Sequence, residues 1–128
     1  MRRGPVIGVA AGGALGALAR HGLSQWLTAF LPPSFPLPTL IINVLGSAVL
    51  GLVAGYGIER GRLPEAWRLP VTTGFIGAFT TFSTWSVETV LLLETGRWLL
   101  AAANVGLSLA LGLSAVWAGY RVALRWRP

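Results

Sequence analysis

Four long apolar segments dominate this chain of 128 residues and leave little room for any other architecture. Each is long enough to cross a bilayer core of about 30 Å as a helix, which needs about 20 residues. The spans are predicted at residues 5–30, 39–58, 69–93 and 98–124. A proline-rich loop, a charged loop and a tight connection join them, so the chain is expected to be a single all-α transmembrane domain, residues 1–128.

The composition supports a membrane protein and excludes several function classes. Hydrophobic residues make up 54% of the chain and charged residues 11%, whereas soluble domains carry about 25% charged residues. The net charge of +6 comes from ten Arg and four Glu. Arg residues that flank apolar spans contact lipid headgroups. The sequence has no basic stripe with interleaved aromatics, which is the pattern that would indicate nucleic-acid binding. Without Cys, with one His and with no nucleotide or catalytic motif, the chain is not expected to be an enzyme.

The third apolar segment contains material that is poor for a helix. Residues 74–86 read Gly-Phe-Ile-Gly-Ala-Phe-Thr-Thr-Phe-Ser-Thr-Trp-Ser. Gly weakens a helix by about 1 kcal/mol relative to Ala, and hydroxyl side chains compete for the backbone. A break is therefore predicted at about residues 77–83. Broken helices at membrane depth are tolerated where they line a polar cavity, and they mark ion or substrate sites.

Polar side chains in the apolar zone are the candidate site residues. The Asn43 amide either bonds a neighbouring helix or donates to a permeating anion, and both readings stay open here. Hydroxyl back-bonding to the preceding turn accounts for one or two of Thr80, Thr81, Ser83, Thr84 and Ser86, but not for all five. Arg20 and Glu88 are the charges deepest in the spans, and intramembrane charges are functional candidates.

Small residues recur at the spacing that lets membrane helices approach closely. Gly8, Gly12 and Gly16 are spaced by four, as are Ser47, Gly51 and Gly55. This spacing serves either packing within one subunit or contact between subunits. Four short-looped spans are few for a polar pathway, so an oligomer with the pathway between subunits is expected.

Three sequence stretches together resemble the CrcB/Fluc family of small bacterial fluoride channels. Residues 12–20, Gly-Gly-Ala-Leu-Gly-Ala-Leu-Ala-Arg, are similar to its glycine-rich first helix. Residues 39–46, from Thr39 through Asn43 to Gly46, are similar to its second-helix Asn motif. Residues 74–84 are similar to its broken third helix, which is the most specific of the three.

The resemblance implies an antiparallel, dual-topology dimer with fluoride pores along its interface. Such a channel exports fluoride passively from the bacterial cell and protects it from fluoride toxicity. The implied pore residues are Asn43, Phe82, Trp85, Ser83, Thr84 and Ser108. Backbone carbonyls of Gly77 and Thr80 are implied to hold a structural Na⁺ at the dimer centre, and a side chain at position 77 is expected to crowd the break. Thr39, Arg20, Glu88 and Asn104 are the other functional candidates.

Two positions depart from the pattern of the family. Trp85 stands where Phe is common, and Asn104 stands where relatives often carry Tyr. The indole is larger than a phenyl ring and adds one donor, so it is expected either to narrow the pore or to bond a neighbouring helix.

Two alternatives to a fluoride channel are a proton-coupled small multidrug-type exporter that uses Glu88, and a non-transporting assembly subunit. Orientation raises a separate question. Placing both termini on one side puts most Arg residues there and predicts that this side faces the cytoplasm of a multi-pass inner-membrane protein. An antiparallel homodimer needs both orientations, so a heterodimer with an oppositely oriented paralogue is the alternative partner.

Overall fold

The computed structural model describes residues 3–126 as an all-helical chain. Helix α1 spans Arg3–Phe30, α2 spans Leu37–Leu52, α3 spans Glu65–Leu69, α4 spans Gly77–Phe79, α5 spans Phe82–Glu94 and α6 spans Trp98–Arg125. Two π-helical segments, Val53–Glu59 and Pro70–Ile76, continue α2 and join α3 to α4. Four continuous stretches are long and apolar enough to cross a membrane: Gly4–Phe30, Leu37–Glu59, Glu65–Glu94 and Trp98–Arg125.

The second and third spans begin two and four residues earlier than the sequence predicted. Helix α2 starts at Leu37 and holds Pro38 in its first turn, where the missing N–H has no intrahelical acceptor to lose. The third span starts at Glu65, directly after the extended Pro64, so the charged loop is shorter than expected. Gly61 and Gly96 adopt φ of +65° and +73° in the two remaining connections, a conformation that favours glycine.

The π-helical segment of the third span follows from Pro70. Proline has no N–H to donate to the carbonyl four residues earlier, so the hydrogen-bond pattern of the helix is interrupted there. The amide of Gly77 donates to the carbonyl of Thr72, five residues back. This wider turn carries the chain from α3 to the break.

Glycines allow the helices to pack backbone against backbone. A Cβ added at Gly12 or Gly16 would collide with the carbonyl oxygen of Pro70 or Phe75, respectively. Between α2 and α6, a Cβ at Gly51 would collide with the carbonyl of Val116. The small-residue stripes of α1 and α2 are thus used for packing within one subunit.

Arginine contacts mark the two ends of the bundle. At one end, the Arg60 guanidinium donates to the carbonyls of Ala123 (3.4 Å) and Trp126. At the other end, Arg97 donates to the carbonyl of Ser34 at 2.5 Å. Four tryptophans near span ends are about 60% exposed or more, as residues of an interfacial aromatic belt are: Trp26, Trp67, Trp98 and Trp126.

Candidate functional site

The third span is interrupted at Thr80 and Thr81, inside the predicted window. Thr80 has φ −80° and ψ 157°, and Thr81 has φ −147° and ψ 116°, so both are extended rather than helical. Helix α5 then restarts at Phe82 with Thr81 as its N-cap. The break therefore frees backbone polar groups from helical hydrogen bonds in the middle of a segment long enough to cross a bilayer.

Asn43 of α2 closes the break from the side. Its Oδ1 accepts a hydrogen bond of 2.8 Å from the Thr81 amide, and its Nδ2 donates to the Thr81 carbonyl at 3.0 Å. One carboxamide thus satisfies both backbone groups of an extended residue. The amide group carries two hydrogens, so one N–H of Asn43 is not used in this pair. The two readings of Asn43 are compatible: it bonds a neighbouring helix and retains a donor.

Two carbonyls at the break lose the donors that an unbroken helix would supply. The Thr81 amide, which would bond the Gly77 carbonyl, goes to Asn43. The Thr84 amide, which would bond the Thr80 carbonyl, goes to the Thr81 hydroxyl at 3.2 Å. Carbonyl oxygens freed in this way are ligands for hard cations, so the donor set at Gly77 and Thr80 fits Na⁺.

The hydroxyls around the break divide into two groups. Thr80 and Ser86 donate to the carbonyl four residues earlier, at 3.1 and 2.9 Å. The Thr81 hydroxyl instead forms the centre of a cluster, 3.0 Å from the Thr84 hydroxyl and 3.3 Å from that of Ser83. Back-bonding accounts for two of the five hydroxyls, as the sequence suggested.

A groove of about 330 Å³ runs along the break on one face of the chain. The residues lining it carry no charge. It brings together most of the predicted pore residues and both predicted carbonyl residues: Asn43, Phe82, Trp85, Ser108, Gly77 and Thr80. Ser83 and Thr84 lie outside it, exposed beside the Thr81 hydroxyl.

The two aromatic rings at the groove form a tilted pair. The centroids of Phe82 and Trp85 are 5.0 Å apart, with 41° between the ring planes. Phe82 is 77% exposed, whereas the Trp85 ring is held against α6. Its Nε1 donates a weak 3.4 Å bond to the Asn104 carbonyl. The indole of Trp85 was expected either to narrow the pore or to bond a neighbouring helix, and the structure shows the bond to α6.

Asn104 completes this connection between α5 and α6. Its Nδ2 donates to the Thr89 hydroxyl at 2.9 Å, and that hydroxyl donates to the Trp85 carbonyl at 2.7 Å. Asn104 is only 1% exposed, and its Oδ1 has no partner. The Ser108 hydroxyl, one helical turn away on α6, is also buried and unpartnered within the chain.

Glu88 lies apart from this groove. One of its oxygens, Oε1, accepts a 2.7 Å hydrogen bond from the buried hydroxyl of Thr39, and Oε2 is buried without a partner. Glu88 lines a different groove, near the prolines of the first loop and Arg97. Arg20 is partly buried on α1 and does not line the groove at the break. These two charges and the pore candidates are therefore not brought together.

Two glycines near the break, Gly77 and Gly46, differ in how much space a side chain would find. A Cβ at Gly77 would meet only the Thr72 carbonyl at 3.5 Å, an ordinary contact, so the expected crowding at position 77 does not occur within one chain. The tight position is Gly46, where a Cβ would collide with the Thr80 methyl group. Gly46 stands one helical turn after Asn43, and the sequence did not single it out as a position of close packing.

The sequence profile described as "CrcB-like protein, Camphor Resistance (CrcB)" matches residues 7–120. The chain belongs to the CrcB family. Its CrcB relatives include "Fluoride-specific ion channel FluC 2" of Symbiobacterium thermophilum, which is 79% identical over 94% of this chain and 98% of that protein. "Fluoride-specific ion channel FluC" of Geobacter metallireducens is 41% identical over 92% of this chain and 95% of its own length. The protein of the same name from Nitratidesulfovibrio vulgaris is 49% identical over 84% of this chain and 86% of its own.

Together, the four spans and these relatives indicate a multi-pass membrane protein of the CrcB family. The relatives are named as ion channels, which are not enzymes.

Proposed function

We propose that this chain forms a fluoride-selective channel that exports fluoride passively through the bacterial inner membrane and protects the cell from fluoride toxicity. The observation that carries the proposal is the uncharged groove at the break of the third span. It combines neutral donors with aromatic rings, and relatives that align over more than nine tenths of this chain are named fluoride-specific ion channels.

The groove suits a small, strongly hydrated anion. Fluoride has to exchange its water shell for donors, and the free N–H of Asn43 and the hydroxyl of Ser108 are neutral donors in the groove. Aromatic edges are electron-poor, so the edge of Phe82 interacts weakly and favourably with an anion. Conduction needs sites that bind well enough for entry and weakly enough for exit. Neutral groups meet this condition better than a fixed arginine, which would hold fluoride too tightly.

The groove is one half of a pathway in this proposal. It is open along one face of the chain, and the Phe82 ring is 77% exposed. A second copy covering that face would enclose a pore, and an antiparallel homodimer would enclose two equivalent ones. The unpaired Ser108 hydroxyl and the freed carbonyls would then face the interior of the assembly rather than lipid.

Orientation is the main question for this dimer. The Arg60 end of the bundle carries most of the arginines, and Arg97 is at the opposite end. This bias favours one orientation by the positive-inside rule. We propose dual insertion and a homodimer. A heterodimer with an oppositely oriented paralogue is the alternative, which purification of this chain alone would test.

A structural Na⁺ at the dimer axis is part of the proposal. The carbonyls of Gly77 and Thr80 would hold it, since the amides that would bond them in a continuous helix are engaged elsewhere. Two chains would supply about four oxygens, fewer than the six to eight that Ca²⁺ takes. By binding carbonyls of both chains, the ion would link the two broken helices.

No observation favours the proton-coupled exporter. Such a transporter needs a titratable carboxylate where the substrate binds, but Glu88 bonds Thr39 and lines a groove different from the one at the break. The Glu88 carboxylate is therefore assigned to joining α2 and α5.

Fluoride release from liposomes that contain only this purified chain tests the proposal. A fluoride gradient is expected to drive release once an ionophore balances charge, and a chloride gradient is not. A proton gradient alone is expected to drive nothing, and uptake under it would overturn the channel mechanism. Flux that appears only when a second CrcB chain is added would replace the homodimer with the heterodimer.

A further inference from the structure

A further groove, of about 570 Å³, lies at the arginine-rich end of the bundle. The π-helical end of the second span, the loop that follows it and the C-terminal end of α6 form its walls. Its lining is mostly apolar: Leu52, Val53, Tyr56, Gly57, Arg62, Leu63, Val71, Ala123 and Trp126. The groove is separate from the one at the break.

The chemistry of this groove changes along its length. Leu52, Val53 and Val71 lie within the apolar spans and form its deep part. Arg62 belongs to the loop between two spans, and Trp126 follows the end of α6. Tyr56 and Trp126, whose ring centroids are 6.5 Å apart, stand between these two parts. The groove thus runs from the apolar part of the spans to the arginine-bearing loop at their end.

Hydrogen bonds within the chain fix the walls of the groove. Arg60 donates to the carbonyls of Ala123 and Trp126, which joins the loop to the end of α6. The Leu63 amide donates to the Gly57 carbonyl at 2.7 Å, which folds the loop back on the π-helical segment. The groove exists within a single chain and does not need a ligand to form.

The charge at this end selects the class of ligand. The arginines at this end whose side chains the structure describes are Arg60, Arg62, Arg68, Arg121 and Arg125, and the glutamates are Glu59 and Glu65. Arg60 is engaged with backbone carbonyls, whereas Arg62 is exposed on the groove itself. The larger groove between α1 and Pro70 has no charged residue in its lining, so nothing there selects an occupant.

We propose that this groove is a binding site for one anionic phospholipid, distinct from the fluoride pathway. The phosphate pairs with Arg62 and accepts hydrogen bonds from the Tyr56 hydroxyl or the Trp126 indole. One acyl chain lies against Leu52 and Val53. A basic residue near an anionic membrane surface contributes about 1 kcal/mol, and an apolar wall adds burial of acyl carbons.

Lipid binding to the purified protein tests this site without any fluoride measurement. Native mass spectrometry from mixed micelles counts bound phosphatidylglycerol and phosphatidylcholine. We expect the wild type to retain phosphatidylglycerol preferentially. Arg62→Gln should weaken that binding about fivefold, which corresponds to about 1 kcal/mol. Arg125→Gln removes the same charge from the same end but outside the groove lining, and it should change binding less than twofold.

A groove-filling variant tests the apolar part with all charges kept. Leu52 is 38% exposed, so Leu52→Trp is expected to fold, and its elution volume on size exclusion checks this. It should reduce phosphatidylglycerol binding as Arg62→Gln does. Equal losses in Arg62→Gln and Arg125→Gln would overturn the site in favour of unspecific surface charge. Competition by glycerol phosphate alone would indicate that the site binds free phosphate. Loss of the dimer in Leu52→Trp with lipid binding retained would indicate that a second copy of the chain occupies the groove. Either result overturns the lipid site.

Discussion

The side-chain amide of Asn43 and the backbone of Thr81 exchange two hydrogen bonds, of 2.8 and 3.0 Å. This pair joins the second span to the break in the third. It fixes the extended conformation of Thr81, and through it the place where α5 restarts and the position of Phe82. A residue of α2 therefore satisfies the backbone groups that the break in another helix leaves unpaired.

Replacement of Asn43 by Asp separates the two halves of this pair. The carboxylate still accepts from the Thr81 amide but cannot donate to the Thr81 carbonyl. It also repels an anion by up to about 4 kcal/mol at 4 Å and an effective dielectric constant of 20. We expect fluoride flux in liposomes to be abolished while the dimer survives on size exclusion. Full flux in Asn43→Asp would remove Asn43 from the pathway.

Trp85→Phe tests the role of the indole. The bond from its Nε1 to the Asn104 carbonyl is long at 3.4 Å, so its loss should lower stability by about 1 kcal/mol or less. Flux should stay equal or rise, because the phenyl ring is smaller. Trp117→Phe is the matched control, since Trp117 is 65% exposed and does not line the groove. A large loss of flux with unchanged thermal stability would mean that the indole N–H is a required ligand.

Thr39→Val tests the bond to Glu88. Removing the hydroxyl leaves both carboxylate oxygens of a partly buried Glu88 without a partner in the chain, at a cost of about 1–3 kcal/mol. Thr39→Ser keeps the donor and should retain most of the stability. Thr28→Val is the control, because the Thr28 hydroxyl bonds only the preceding turn on an exposed surface. Thermal unfolding in detergent measures the three variants, and equal midpoints for Thr39→Val and Thr28→Val would contradict the assigned role.

Gly46→Ala and Gly77→Ala form a matched pair at the break. The added methyl at position 46 collides with the Thr80 methyl, and overpacking of this kind costs about 1–3 kcal/mol. The methyl at position 77 meets one ordinary contact of 3.5 Å, so the subunit should fold normally. We expect Gly46→Ala to lower thermal stability and flux. Any defect of Gly77→Ala should appear in dimer formation or Na⁺ dependence instead. A fall in the stability of its isolated subunit would show that position 77 has less space within one chain than the 3.5 Å contact indicates.

The spans and the region of the break were predictable because they depend on local composition. Apolar length predicted the helices, and the Gly and hydroxyl content of residues 74–86 predicted the break. Its position at Thr80 and Thr81 was not predictable from that segment alone. It depends on Asn43, which is distant in sequence and becomes a neighbour only after α2 packs against the third span.

The sequence predicted that helices pack closely at the glycines, but not which residues lie opposite them. The spacing of Gly12 and Gly16 predicted a close helix contact, but the sequence does not say that Pro70 and Phe75 are opposite. The start of α2 was predicted too late because Pro38 was assigned to the preceding loop. Pro38 suggested loop, whereas its position in the first turn of α2 makes it compatible with a helix.

The two carbonyls at the break also bear on how the protein persists in a cell. A lone chain in lipid would keep the Gly77 and Thr80 oxygens without their helical donors, and each such group costs several kcal/mol in hydrocarbon. That cost would make a solitary chain the less stable species, and the second copy in the proposed dimer would relieve it. In the proposed dimer, subunit exchange would leave the same oxygens without partners again, so we expect the number of working channels to follow the rate of synthesis more than a reversible equilibrium between paired and single chains.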